Sequence, residues 1–133
     1  MLPERPEPGT AADWLRYARS DLVLARMASS AGVLLETLCY HAQQAVEKSI
    51  KAMLVQYGIA FPRTHNLRIL LELLPVSCPV PGLVAKSVAL TDYAIMSRYP
   101  GEYEAVTDDE YREAVQIAEA VLAWAEGLIL DPN

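Results

Sequence analysis

The sequence predicts an all-α protein, an up-and-down bundle of four long helices plus one short helix. Three observations favour this class. Hydrophobic residues make up 53% of the chain, and many are Ala, Leu and Val, which suit helices better than the β-branched and aromatic clusters of strands. Apolar positions recur at steps of three and four along most of the chain. We find no stretch with the strict alternation of apolar and polar residues that marks a half-buried strand.

Length and charge set the domain count and the classes of partner. A chain of 133 residues predicts one domain. We place it at residues 10–130, after a disordered tail, 1–9, that holds three prolines and a glycine. The net charge of −6 disfavours specific DNA binding and non-specific binding to nucleic acid, because phosphate contacts come mainly from Lys and Arg.

The start of the chain and its hydropathy indicate the compartment. No apolar run approaches the roughly 20 residues of a membrane span, and the first ten residues lack the apolar core of a secretory signal. We therefore expect a cytoplasmic protein without membrane contact, in which Cys39 and Cys78 are free thiols. A disulfide between them is the alternative.

The longest helix should run from about Val33 to Tyr57, with Gly58 as its C-terminal cap. One broad face of this helix is apolar and should pack in the core. The opposite face carries polar residues that we expect to meet solvent, and His41 lies at the border between the two faces. These polar residues are Gln43, Gln44, Glu47 and Lys51.

Two shorter helices flank this one in the sequence. The first is predicted from Ala11 to about Ser29, with Thr10 as N-cap and Asp13 in the capping-box position. A short helix over 67–74 should follow a cap at Thr64 or Asn66 and end before a proline. His65 is expected to do no more than help start this short helix.

The remaining two helices lie in the C-terminal half. The fourth helix is predicted over 83–97, before the turn residues that begin with Arg98. The last helix follows a capping box at Thr107–Glu110. Three apolar residues of this last helix, Ile117, Trp124 and Leu128, are expected to form an exposed patch that faces a second subunit.

Charged residues next to apolar faces suggest a polar cluster. Asp21 interrupts the apolar stripe of the first helix, so it should be paired or at a cavity edge, or else solvated at the rim. His41 could reach Asp21 or Arg98 if the helices pack in order. The candidate ligand-binding residues are Asp21, His41, Lys48, Arg98, Tyr99 and Tyr103. The purely structural alternative is that these groups satisfy one another and hold helix ends in register.

The sequence lacks the patterns that mark several kinds of catalytic site. The Glu-x-x-His pairs of di-metal bundles are absent, and His41 and His65 fall in different elements, so we predict no metal. There is no P-loop or dinucleotide fingerprint, so we predict no cofactor. A Cys39–His41 nucleophile is excluded because residues two apart point to different sides of a helix.

Four stretches resemble one family. Residues 40–54 resemble the signature helix of the HEPN domain (higher eukaryotes and prokaryotes nucleotide-binding), in its prokaryotic stand-alone type. Asp21-Leu22 with Ala25, then Thr64-His65-Asn66-Leu67, and finally Arg98-Tyr99-Pro100 are similar to further family stretches and occur in the same order. The resemblance covers residues 13–127.

The resemblance implies a helical bundle that forms a homodimer or a higher homo-oligomer, with a nucleotide or RNA as a possible ligand. Many bacterial members are encoded beside a minimal nucleotidyltransferase, and such pairs act as toxin–antitoxin modules. We therefore expect an interaction module with that partner and a nucleotide-sensitive polar pocket. A small-ligand or nucleotide-binding protein without turnover is a further reading.

An enzymatic alternative also comes from the resemblance, because some members are metal-independent ribonucleases. Their motif is an Arg, then four to six intervening residues, and then a His. In this sequence residues 34–36 before His41 and 58–60 before His65 contain no Arg. The alternative function is therefore a metal-independent endoribonuclease that uses His41 and Arg98 as catalytic residues brought together in space.

Overall fold

The computed structural model describes residues 6–27, 32–96 and 101–130, and every regular element in these ranges is helical. The elements are α1 (Ala11–Ala25), α2 (Leu35–Gln56), α3 (Leu67–Glu72), α4 (Gly82–Lys86), a 3-10 helix (Ser87–Leu90), α5 (Tyr93–Met96) and α6 (Asp108–Leu130). The all-α bundle is therefore confirmed. Within the same ranges, no helix combines the length and apolar character needed to cross a bilayer.

The core is built around α2, which packs against α1 on one side and α6 on another. The shorter elements α3, α5 and the 3-10 helix close the remaining sides of α2. This central position explains why α2 is buried on more faces than an ordinary surface helix. Its fully buried apolar side chains include Val46, Ile50, Met53 and Leu54.

The helix ends follow the predicted capping chemistry. Thr10 Oγ1 accepts from the Asp13 N–H, and Asn66 Oδ1 accepts from two N–H groups in the first turn of α3. Thr107 and Glu110 bond reciprocally at the start of α6, as a capping box requires. At the end of α2, Gly58 has φ of +70°. It allows the Ile59 N–H to reach the Leu54 carbonyl, so the next loop begins in a fixed direction.

Two predicted helices differ in extent from the structure. The first ends at Ala25, with Arg26 as C-cap, and not near Ser29, while residues 28–31 lie outside the described ranges. The fourth helical segment, predicted as one helix over 83–97, is divided into α4, the 3-10 helix and α5. Ser87 lies at the first break, where its hydroxyl donates to the Val84 carbonyl at 2.6 Å. Such a bond competes with the helical ladder and favours a tighter turn.

The prediction of an exposed apolar patch on the last helix is wrong. Ile117 is only 3% exposed and belongs to the core. Trp124 and Leu128 are half-buried against the same core, and the Trp124 indole Nε1–H donates to the Pro79 carbonyl at 2.7 Å. The proline-rich connection before α4 therefore meets the surface of α6 for which the sequence predicts a second subunit.

Candidate functional site

Asp21 joins α1 to α2 through two charged partners. Its Oδ1 lies 2.9 Å from Nδ1 of His41, and its Oδ2 lies 2.6 Å from Nζ of Lys48. The Asp21 side chain is only 11% exposed, which excludes the alternative of a solvated carboxylate at the rim. His41 and Lys48 are two turns apart on the same side of α2, so one carboxylate can meet both. We call these three residues the Asp21 cluster.

Aromatic rings and a small cavity lie beside the Asp21 cluster. Lys48 Nζ is 5.8 Å from the centroid of the Tyr17 ring, and the rings of Tyr40 and His41 meet edge to face with 5.3 Å between centroids. A cavity of about 310 Å³ adjoins Lys48 and is lined by Gly9, Asp13, Trp14, Tyr17 and Lys48. A paired cation and an aromatic ring therefore border this open space.

The rim of this cavity also carries a paired carboxylate. The Gly9 N–H donates to Asp13 Oδ2, and Arg16 pairs with Asp13 Oδ1 at 3.0 Å. The pKa of Asp13 is lowered, first by the Gly9 N–H and then, against the effect of burial, by Arg16. Asp13 is therefore ionised at neutral pH. Among the residues that line the cavity, Lys48 is the one that carries a positive charge.

Of the other predicted site residues, the structure describes only Tyr103. Arg98 and Tyr99 lie outside the described ranges. Tyr103 is exposed in the loop before α6, and no hydrogen bond or ring contact links it to the Asp21 cluster among the residues that the structure describes. The roles of Arg98, Tyr99 and Tyr103 stay predictions.

A second polar cluster, which sequence reasoning missed, surrounds Glu47. Its Oε1 accepts from Gln43 Nε2 at 3.1 Å and lies 2.8 Å from His65 Nδ1, while its Oε2 pairs with Lys51 Nζ at 3.0 Å. Gln44 Nε2 donates to Gln43 Oε1 at 2.7 Å. The Glu47 side chain is 3% exposed and that of Lys51 is 10% exposed. The prediction that this face of α2 meets solvent is therefore wrong.

Polar residues can occupy this buried face because they satisfy one another. Glu47 follows Gln43 by four positions and precedes Lys51 by four, so all three side chains lie in one row on α2. The sequence signal is this row together with a histidine just past the following loop. The row alone predicts a solvated surface, because it does not reveal that other elements cover it.

His65 does more than start α3. Its imidazole meets Glu47, and its backbone carbonyl accepts from Gln43 Nε2 at 3.3 Å. These two bonds attach the loop between α2 and α3 to the middle of α2. The loop is thereby held at both ends, since Gly58 fixes its beginning and Asn66 caps the helix that follows.

The environment of Glu47 favours its charged form. Burial alone would raise the pKa of this carboxyl group, but hydrogen bonds from His65, Lys51 and Gln43 and the charge of Lys51 outweigh burial. The pKa is consequently lowered from its ordinary value of 4.5. Glu47 is an ionised, buried carboxylate whose charge is compensated mainly by Lys51.

The lowered pKa of Glu47 predicts how stability depends on acid. The unfolded chain protonates Glu47 near its ordinary value of 4.5, and the folded chain does so only at lower pH. Its stabilising contribution is therefore complete above that value and is lost as the pH falls through the folded pKa. We expect the free energy of unfolding, measured with urea at several pH values below 5, to fall less steeply with acid in Glu47→Gln than in wild type. The difference in slope should correspond to at most about one proton taken up on unfolding. Equal slopes would contradict this.

The two cysteines are buried and free, as predicted. Burial raises the pKa of the Cys39 thiol to about 12, with a smaller opposing effect from Tyr93. A thiol of this kind is a poor nucleophile at neutral pH. Among the described residues, no group of three or more His, Cys, Asp and Glu side chains is arranged to hold a metal ion.

Comparison with known proteins agrees with this architecture. The HEPN domain matches residues 11–128. The crystal structure of TT1696 from Thermus thermophilus is similar, with 33% identity and a TM-score of 0.77, over 89% of this chain and 97% of that one. ST0689, an archaeal HEPN homologue, shows 30% identity and a TM-score of 0.69, over 90% of this chain and 98% of that one. No curated protein matches the sequence. This chain therefore belongs to the HEPN domain family.

Proposed function

We propose that this chain is a non-catalytic HEPN interaction module that forms a homodimer or a higher homo-oligomer and works with a minimal nucleotidyltransferase in a toxin–antitoxin-like system. Its polar pocket responds to nucleotide. The observation that carries the pocket is the Asp21 cluster, in which Lys48 is held beside a cavity of about 310 Å³. The partner is supported by family membership.

The geometry favours phosphate binding by Lys48 over proton transfer by His41. An anion that approaches Lys48 can exchange with Asp21 as its charge partner, because Lys48 is a single cation on a flexible stem. Tyr17, half-exposed beside Lys48, offers a ring on which a base can stack. A bound nucleotide would loosen the link between α1 and α2, and this change would carry the ligand's effect to partner affinity.

Titration with ATP, followed by calorimetry, tests the pocket. We expect saturable binding that Lys48→Ala weakens about tenfold, because a charge-assisted contact is lost. Lys86→Ala is the matched control, since Lys86 is exposed on α4 and forms no ion pair with any residue that the structure describes. Equal affinity in wild type and Lys48→Ala would exclude this pocket.

Co-expression with a nucleotidyltransferase encoded beside this chain tests the partner. We expect the two proteins to co-purify as a complex, and we expect ATP to change the yield of that complex. Asp21→Asn, which weakens the link between α1 and α2, should alter the ATP effect more than Glu119→Gln, a change in an exposed ion pair. Failure to co-purify would count against the partner and leave the pocket to its own test. Light scattering on the chain alone measures its oligomeric state.

One observation keeps the endoribonuclease as a second candidate. Asp21 contacts Nδ1 of His41, and this orientation leaves Nε2 for acid–base chemistry. The enzyme would need Arg98 as its second group. Incubation of RNA with wild type, His41→Ala and Arg98→Ala decides between the functions. Cleavage that both substitutions abolish would establish the enzyme, and no cleavage by wild type would remove it.

A further inference from the structure

A second cavity, separate from the Asp21 cluster, lies where α1, α2 and the following loop meet. Its volume is about 490 Å³, and it is lined by Trp14, Lys51, Phe61, Arg63, Thr64 and His65. We call it the Trp14–Phe61 cleft. Its volume falls within the range of roughly 300–1,000 Å³ that is usual for small-molecule sites. Lys51, Thr64 and His65 lie in stretches that resemble the HEPN family, but the sequence predicted no ligand site at these three residues.

The walls of the cleft are aromatic. The rings of Trp14 and Phe61 meet edge to face, with 6.0 Å between centroids and 70° between planes. Lys51 Nζ lies 5.5 Å from the Trp14 ring centroid and 5.6 Å from that of Phe61. A nearly buried ammonium group therefore contacts both rings, and both rings remain half-buried at the cleft.

The net charge of the cleft is positive. The charge of Lys51 is balanced by Glu47 at 3.0 Å, so this pair contributes little to the field outside. Arg63 is exposed at the cleft and pairs with no carboxylate in the described part of the chain. A guanidinium group pairs well with a carboxylate or a phosphate, and the neighbouring aromatic rings can pack against a planar ligand.

The loop that carries Phe61 and Arg63 is held in place before any ligand arrives. His65 is bonded to Glu47 and Gln43 in the middle of α2, and the turn at Gly58, where the Ile59 N–H bonds the Leu54 carbonyl, fixes the other end. Ordering this loop therefore costs little on binding. In an otherwise acidic protein, this is a pre-formed cationic and aromatic recess.

We propose that the Trp14–Phe61 cleft binds a planar aromatic anion, whose ring stacks on Trp14 or Phe61 and whose acidic group pairs with Arg63. The proposal is independent of the nucleotidyltransferase partner and of Lys48. His65, half-exposed at the cleft, is the positioning residue that fixes the loop on Glu47.

Fluorescence of Trp14 provides a local measure of binding. The chain has two tryptophans, so Trp124→Phe leaves Trp14 as the single reporter. The probes are AMP and phenyl phosphate, each with a ring and a phosphate, then adenosine with the ring alone and inorganic phosphate alone. We expect saturable changes with AMP or phenyl phosphate, and affinity at least about tenfold weaker for adenosine and phosphate.

Two charge variants identify the site of binding. Arg63→Ala should lower the affinity for AMP or phenyl phosphate about tenfold. Arg68→Ala should leave the affinity unchanged, because Arg68 is exposed on α3 and lies outside the cleft. Trp14 also lines the cavity beside Lys48, so Lys48→Ala is measured in parallel. If Lys48→Ala abolishes binding and Arg63→Ala does not, the ligand occupies the cavity beside Lys48. That result would overturn this proposal and leave the proposed function standing.

Calorimetry with the wild-type chain repeats the titration without any tryptophan change, in case Trp124→Phe does not fold. The absence of heat and of a fluorescence change with both AMP and phenyl phosphate would overturn the proposal. So would adenosine binding as tightly as AMP, because the anionic group would then have no role.

Discussion

Replacing Glu47 with alanine is expected to lower the free energy of unfolding by about 3–5 kcal/mol. The substitution removes the acceptor for Lys51, His65 and Gln43 together, while Lys51 stays nearly buried. An ammonium group without its partner in such a place is costly, since water cannot solvate it fully. Chemical denaturation of both proteins at pH 7 measures the difference.

Glu119→Ala is the matched control for this loss. Glu119 pairs with Arg26 at 2.7 Å, but both side chains are largely exposed. Exposed ion pairs contribute roughly 0–1 kcal/mol to stability, so Glu119→Ala should lower the free energy of unfolding by no more than that. If Glu47→Ala lowered the free energy of unfolding no more than Glu119→Ala, water would have to reach Lys51. The buried charge network would then stabilise the fold no more than an exposed ion pair does.

The loop should respond to Glu47→Ala before the bundle does. His65 attaches the loop between α2 and α3 to Glu47 through its imidazole, and its carbonyl accepts from Gln43, which also bonds Glu47. Phe61 and Arg63 belong to that loop. Relative to wild type, an increase in amide exchange that is larger in residues 58–66 than in α6 would show that Glu47 holds the loop and does not merely fill the core. An equal increase in both regions would contradict this.

The sequence was sufficient for the parts of this fold that local chemistry controls. Thr10, Asn66 and Thr107 cap the helices where their patterns predict. The apolar position of Asp21 indicates a partner, and the structure provides two. In each case the signal lies within a few residues on one helix.

Features that depend on which elements cover a surface were not predictable in the same way. The row of Gln43, Glu47 and Lys51 is typical of a solvated face. It is buried in the structure because His65 and the loop before it lie against this face, and the sequence of the row does not show this. The prediction of an exposed patch at Ile117 and Trp124 fails for a related reason, since nothing near these residues in the sequence shows that Ile117 joins the core or that Trp124 contacts Pro79. The Trp14–Phe61 cleft combines side chains from α1, α2 and the loop before α3, and no single stretch of sequence shows that these three elements meet.

Leu15→Ala is expected to lower the free energy of unfolding by about 2–5 kcal/mol. Leu15 is fully buried in the core between α1 and its neighbours, so the shorter side chain leaves a cavity and loses apolar burial. Val23→Ala is the control on the same helix, because Val23 is 56% exposed and its loss should change stability by no more than about 0.5 kcal/mol. Similar losses for the two variants would contradict the packing of α1.

Combining Leu15→Ala with Asp21→Asn shows whether packing and charge hold α1 independently. Asp21 follows Leu15 by about 9 Å along the helix axis, so their effects should add within about 0.5 kcal/mol. Additivity would mean that the Asp21 cluster can open without loosening the core, which a nucleotide response at Lys48 requires. A larger interaction energy would mean that α1 detaches as one unit, and a ligand at Lys48 would then act by partial unfolding.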